Sequence, residues 1–257
     1  MTTTNVVLSS IDESVARLTL NRPEKKNALN DELIIELKRS LSDAAASESV
    51  RAIVIDGAGT DFCSGADLSA LEKISKASAA ENADDARALL ELFVLIRKLP
   101  VPVIAAVRGR ALAGGCGLAT SCDIVLASST ARFGYPEVKI GFVPAIVTAI
   151  LRRNVSEKLA FELLTRGETI SADEAHRIGL INQVFNENEF EDKVSEYAQL
   201  FDSVSKSAVS LTKGLLYQID GLQFSEAIEI GADVNVIARM TEDCQKGIAR
   251  FLTQKKS

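Results

Sequence analysis

Tryptophan is absent from this sequence, methionine occurs twice and histidine once. With a single imidazole, no histidine pair, histidine-based catalytic triad or multi-histidine metal site can be assembled. Cysteine is sparse too. Cys63, Cys116, Cys122 and Cys244 form no C-x-x-C pair and have no histidine partner to complete a zinc set. They read as reduced thiols of a cytoplasmic protein, and without a neighbouring base a catalytic thiol is not expected. No apolar run reaches the ~18 residues of a membrane span. Met1 to Ser10 lacks the basic start and apolar core of a secretory signal. A basic excess is missing as well: the formal net charge is −6, which argues against nucleic acid as a partner. An acidic chain can still bind phosphate through a local basic cluster.

What is present is an ordinary globular balance. The 257 residues are 47% hydrophobic and 25% charged, enough for one large domain or a domain with a smaller appendage. Apolar stretches at Val6–Leu8 and Val15–Leu20 predict two strands around a polar turn. A polar loop carrying Arg22, Lys25 and Lys26 follows, and Asn30 is a plausible cap for a helix over Glu32–Ala46. Val50–Ile55 predicts a buried strand, and Leu68–Leu99 a long helical region softened around Ala77–Ala83. Pro100 and Pro102 stop it. Further strands are expected at Val103–Val107, Ile124–Ala127, Arg132–Phe133 and Ile181–Phe185. Short helices are expected between them, and helical patterns alone fill the chain from Glu187 to the end. The order predicts an α/β fold with a helical C-terminal region, dividing into 1–186 and 187–257.

Two glycine-bearing turns concentrate the chemical interest: Phe62-Cys63-Ser64-Gly65-Ala66-Asp67-Leu68 and Gly109-Arg110-Ala111-Leu112-Ala113-Gly114-Gly115-Cys116-Gly117. Each follows an apolar strand and opens a helix, which leaves backbone N–H groups unpaired at a positive helix end. Brought together, two such turns can place two donors on one oxygen, an oxyanion hole. Taken alone the spacing is equally that of two ordinary strand-to-helix turns. Gly114-Gly115-Cys116-Gly117 is not the dinucleotide-binding G-x-G-x-x-G pattern, and no phosphate-binding G-x-x-x-x-G-K-[ST] loop occurs.

Taken together, the motifs resemble the enoyl-CoA hydratase/isomerase family, also called the crotonase family. The likeness rests on Leu20-Asn21-Arg22-Pro23 with Asn27-Ala28-Leu29, on Phe62–Leu68, on Pro102 to Cys122-Asp123 and on Phe133–Gly141. It continues through Leu164-Thr165-Arg166-Gly167, Ala172-Asp173-Glu174-Ala175 and Gly179-Leu180 to Gly247–Leu252. These run in family order across nearly the whole chain.

The resemblance implies a crotonase-like spiral of repeated ββα units, an acyl-CoA thioester substrate and no cofactor or metal beyond the CoA that the substrate carries. It implies oxyanion donors at the amides of Ala66 and Gly114. It implies CoA contacts at Lys25, Lys26, Ala28, Ser64, Ala66, Asp67, Leu68 and Gly114, with Arg22 beside the phosphates. The family's hydratases typically use two glutamates. One falls three residues after the oxyanion glycine, where this chain has Gly117; the other is present as Glu137. Some relatives carry a further aspartate where Ala145 stands, so a carboxylate nucleophile there is excluded. The surroundings of Glu137 are similar to a branch of bacterial hydratases, some of which also carry glycine at the position of Gly117.

The leading expectation is hydration of a 2-enoyl-CoA. The alternatives are Δ3-Δ2-enoyl-CoA isomerisation by one glutamate, and an acyl-CoA-binding relative without catalysis. Residues 187–257 resemble the family's oligomerisation part, which implies a trimer or a dimer of trimers; stripes such as Leu211, Leu215 and Leu216 suit an intramolecular core equally well. His176 reads as a surface or structural histidine, Glu168 as a loop charge, and the acidic residues of Glu187–Glu196 as a solvated helix face.

Overall fold

The computed structural model describes residues 5–254, apart from the side chains of Leu68 and Gln254. The chain opens with the antiparallel pair β1 (Val7–Asp12) and β2 (Val15–Leu20), followed by α1 (Asp31–Ala46) and β3 (Ala52–Gly57). Helices α2 (Leu68–Lys76) and α3 (Ala79–Lys98) lead into β4 (Val103–Val107), β5 (Arg110–Leu112), α4 (Gly114–Ser121), β6 (Ile124–Ser128) and β7 (Arg132–Gly134). Next come α5 (Ala145–Asn154), α6 (Glu157–Arg166), β8 (Thr169–Ser171), α7 (Ala172–Arg177) and β9 (Gln183–Phe185). The chain closes with α8 (Phe190–Gln199), α9 (Lys206–Gln218), α10 (Phe224–Met240) and α11 (Glu242–Gln254). Among the described residues no helix is long and apolar enough to cross a membrane.

The main sheet has the order β1-β2-β3-β4-β6-β9, parallel throughout except for the β1–β2 hairpin. Its central strands are buried on both faces, as their continuous apolar runs require. Ile53, Ile55, Val103 and Ala105 join the larger core with α1, α3 and α4. Ala52, Val54, Ile104 and Leu126 face the other way, onto Phe190, Val194 and Ala198 of α8. A second, small sheet, β5-β7-β8, stands beside the first helix turn of α4.

Three sequence expectations need correction. Strand β1 runs on through Ser9, Ser10 and Asp12, because an exposed edge strand needs only backbone pairing to β2, and the turn tightens onto Glu13 with φ 51°. The helical region of 68–99 is cut cleanly at Ala77–Ser78, where Ser78 caps α3 in a capping box with Glu81. The acidic run of 187–196 is not simply solvated. Glu187 accepts from Ser128 and Thr130 and pairs with Arg108 at 2.6 Å, while Glu191 pairs with Arg17 and Arg108. Hydroxyl donation from Ser128 holds the Glu187 carboxyl below its ordinary range.

Candidate active site

Strand β3 ends at Gly57, and the segment after it is clamped from two sides. On one side lies the loop of residues 22–29. Asn27, fully buried with φ 54°, donates from Nδ2 to the carbonyls of Ala58 (2.9 Å) and Asp61 (2.7 Å), and its Oδ1 accepts from the Arg22 amide. The loop then runs alongside residues 64–67: Ser64 N–H donates to Lys26 O, Leu29 N–H to Gly65 O at 2.7 Å, and Asp67 N–H to Leu29 O at 3.0 Å. On the other side lies β5. Cys63 N–H donates to Arg110 O and Leu112 N–H donates to Cys63 O.

This pairing fixes where Ala66 points. Gly65 O and Asp67 N–H both face Leu29, so in extended backbone the amide of Ala66 faces the opposite way, toward the end of β5. There the chain turns at Ala113, whose φ of 52° is costly for a residue with a Cβ. Ala113 is held in that turn by its N–H bond to Gly134 O at 2.8 Å. Helix α4 starts at Gly114, whose amide heads the helix without an intrahelical acceptor. Neither Ala66 N–H nor Gly114 N–H donates to any described residue. Ala66 is exposed and Gly114 half-buried, so both can be reached.

The two turns touch because they lack side chains. A Cβ on Gly65 would lie 2.8 Å from Ala113 Cβ, and one on Gly115 would lie 2.3 Å from Cys63 O. An unpaired amide on each of two touching turns, one of them at a helix N-terminus where the macrodipole is positive, suits an anionic oxygen.

Glu137 sits in the short 3-10 helix Pro136–Ile140 that follows β7. Its Oε2 is buried and has no hydrogen-bond partner. Burial pushes its carboxyl above the ordinary range, and no cation opposes the shift. Its charge in turn acts on the Cys116 thiol and the Tyr135 hydroxyl, which places it by the first turn of α4. A half-desolvated, unpaired carboxyl is suited to taking and returning protons.

The remaining expected residues divide. Lys25 and Lys26 are exposed and make no ion pair among the described residues. Ser64 is half-buried beside Ala66, and Ala28 is buried with its carbonyl accepting from Arg22. The Leu68 side chain lies outside the described residues. Arg22 is not a third free cation. Its guanidinium holds Asp67 at 2.6 Å, and the other Asp67 oxygen caps α2 through Ser69 N–H at 3.0 Å. Burial raises the Asp67 carboxyl, but Arg22 and Ser69 together hold it below its ordinary value. Thus the Arg22–Asp67 pair and Asn27 build the loop beneath the site, a role the sequence motifs do not disclose.

His176 is exposed, with Nδ1 3.4 Å from Ile181 O. Cys63 and Cys116 are fully buried, and burial pushes both thiols up to about 12, too high for a nucleophile. Among the described residues no group of three or more His, Cys, Asp or Glu could hold a metal ion.

Comparison with known proteins gives the family. The family model for enoyl-CoA hydratase/isomerase matches residues 10–257. A crotonyl-CoA hydratase of Syntrophomonas wolfei is 35% identical, over 98% of this chain and 96% of its own length. A short-chain-enoyl-CoA hydratase of Clostridium acetobutylicum is 34% identical over the same shares. The crystal structure of an enoyl-CoA hydratase from Mycobacterium smegmatis superposes with a TM-score of 0.92 at 32% identity, covering 97% of this chain and 96% of that one. The arrangement of strands and helices described above is therefore the crotonase fold, and the chain belongs to the enoyl-CoA hydratase/isomerase family.

Proposed function

We propose that this chain is an acyl-CoA enzyme that hydrates 2-enoyl-CoA thioesters at the junction of Ala66, Gly114 and Glu137. The carrying observation is the buried, unpartnered Oε2 of Glu137 beside a helix N-terminus with two free amides. The hydratase names of its relatives support the same reading.

In this reading the thioester oxygen accepts from the amides of Ala66 and Gly114. Glu137 takes a proton from water as the water oxygen bonds to the β-carbon. The displaced π electrons move onto the thioester as an enolate, which the two amides stabilise. Glu137 then returns the proton to the α-carbon, so water's oxygen and both its hydrogens end in the product. Lys25 and Lys26 are free cations at the loop edge and suit the CoA phosphates.

The test is loss of the conjugated enoyl-thioester absorbance with crotonyl-CoA and with branched enoyl-CoAs. Glu137→Gln should lower kcat by about 10²–10⁴-fold. Equal activity of that variant and the parent enzyme would sink the assignment. Gly117 favours a second reading, isomerisation of a 3-enoyl-CoA, in which Glu137 removes an α-proton and returns it at the γ-carbon. Conjugated product appearing from 3-enoyl-CoA, without hydroxyacyl-CoA, distinguishes it. We further propose that residues 187–257 serve assembly into a trimer or a dimer of trimers, supported by the apolar side chains that α10 and α11 expose.

A further inference from the structure

Gly117 lies inside α4 with an ordinary helical φ, so the conformational freedom of glycine is not what the position requires. Glycine inside a helix costs stability relative to alanine, and its presence calls for a steric reason. The reason is visible. A Cβ at this position would lie 2.3 Å from Val147 Cγ1 in α5 and 3.3 Å from Phe93 Cζ in α3. Both neighbours are 4% exposed and belong to the main core. Val147 is also β-branched and sits within a helix, where one χ1 rotamer dominates, so its methyl cannot swing aside.

Position 117 is one turn beyond Gly114 on the same face of α4, and it directly follows Cys116, which feels the charge of Glu137. The volume filled by Val147 and Phe93 therefore lies one turn from the amide head of α4, on the helix whose Cys116 feels the charge of Glu137. No second carboxylate contributes to the shift of Glu137.

We propose that Val147, backed by Phe93, is the specificity-determining residue of this site: its γ-methyl restricts position 117 to glycine and so leaves Glu137 without a second carboxylate among the described residues to share proton transfer. The proposal rests on the functional reading above, since it assigns reaction preference to that same site. Every proton then passes through one carboxyl: from water to Glu137 to the α-carbon in hydration, or from the α-carbon to Glu137 to the γ-carbon in isomerisation. An apolar wall offers water no second partner, so the hydration-to-isomerisation ratio is held down.

The test compares the parent enzyme with Gly117→Glu, Val147→Ala and the double variant, by thermal unfolding and by turnover of crotonyl-CoA and 3-enoyl-CoA. Gly117→Glu alone should lower Tm by about 5–10 °C, since overpacking a close-packed core is destabilising. Val147→Ala should lower it less. The double variant should recover at least about half of the Gly117→Glu loss, a strong departure from additivity. Its hydration-to-isomerisation ratio should exceed the parent's by about tenfold or more, as a second carboxyl begins to serve water. Additive Tm changes, or a Gly117→Glu variant with the parent's Tm, overturn the steric restriction. Recovered Tm with an unchanged ratio overturns the control of specificity. If the parent enzyme turns over neither thioester, the functional reading fails, whereas non-additive Tm values still report the steric pairing of 117 with 147.

Discussion

The junction at the head of α4 and the helices that close the chain are packed on opposite principles. At the junction everything is small and close. Residues Gly115 to Ser121 are all buried, and a Cβ at Gly65, Gly115 or Gly117 would strike a neighbour. The three C-terminal helices are the reverse. Among the described residues α10 buries none, and Phe224 and Met240 at its ends are each 80% exposed. Helix α9 buries only a lysine. Lys213 donates to the carbonyls of Ile96 (2.8 Å) and Val101 (2.9 Å) and to Asp123 (2.6 Å), and Tyr217 donates to the other Asp123 oxygen at 2.7 Å. The junction is fixed within one protomer by backbone contact. The C-terminal helices are anchored by a charged clamp and leave their apolar residues facing outward.

Breaking the first half of this contrast should have the largest effect. Gly115→Ala places a methyl 2.7 Å from Cys63 Sγ and 2.3 Å from the Cys63 backbone oxygen, which cannot rotate away. The segment bearing Ala66 must then move off α4. Stability should fall by about 3 kcal/mol, as for overpacked cores. Turnover should fall by about 10²–10³-fold, as when one oxyanion donor is lost. A urea midpoint and a kcat equal to the parent's would show that the contact is not tight.

The clamp comes next. Lys213→Ala leaves the half-buried Asp123 with hydrogen bonds from Tyr217 and the Val103 amide but without its cation, which should cost up to about 3 kcal/mol. Lys213→Met keeps the buried stem and should cost less for packing, yet still removes the cation from Asp123. If urea unfolding of Lys213→Ala differs from the parent by under about 1 kcal/mol, α9 is held by something other than charge. The exposed face should respond differently again. Phe224→Asp with Met240→Asp should lower the light-scattering mass to that of one protomer, about threefold from a trimer or about sixfold from a dimer of trimers, while far-UV circular dichroism stays the same. An unchanged mass would remove these side chains from any interface.

The contrast also explains what could be read from the sequence. Strands β3 and β4 were legible because apolar runs bounded by glycine and proline admit few other structures. The turns at Gly65 and Gly114 were legible as strand-to-helix junctions. Their mutual contact was not, because it depends on parallel bridging of residues 63–66 to both Leu29 and Ala111. Arg22 looked like one more loop cation, since a sequence does not reveal that Asp67, 45 positions later, lies 2.6 Å from it. Lys213 was hidden for the same reason: a helical stripe of Leu211, Leu215 and Leu216 draws attention to apolar residues, yet Leu216 is exposed and the lysine is the buried member. The glutamate missing at Gly117 was plain, but the methyl that accounts for it comes from another helix.

The smallest effect sharpens the contrast from the junction's side, because there even an ionisable group is kept unpaired. Burial raises the Glu137 carboxyl above its ordinary 4.5. The folded protein therefore holds that proton more tightly than the unfolded chain does. The associated stability is fully present below pH ~4.5 and is lost as pH rises through the raised folded value. Glu137→Gln removes the ionisation. Relative to the parent, the variant should gain stability as pH increases from about 4 to 7, and the difference should level off once the parent's carboxyl is fully ionised. Urea midpoints measured across that range decide it. A difference that does not vary with pH would mean that water or a mobile cation already solvates Glu137, and the site would then lack the desolvated base that the proposed proton transfers need.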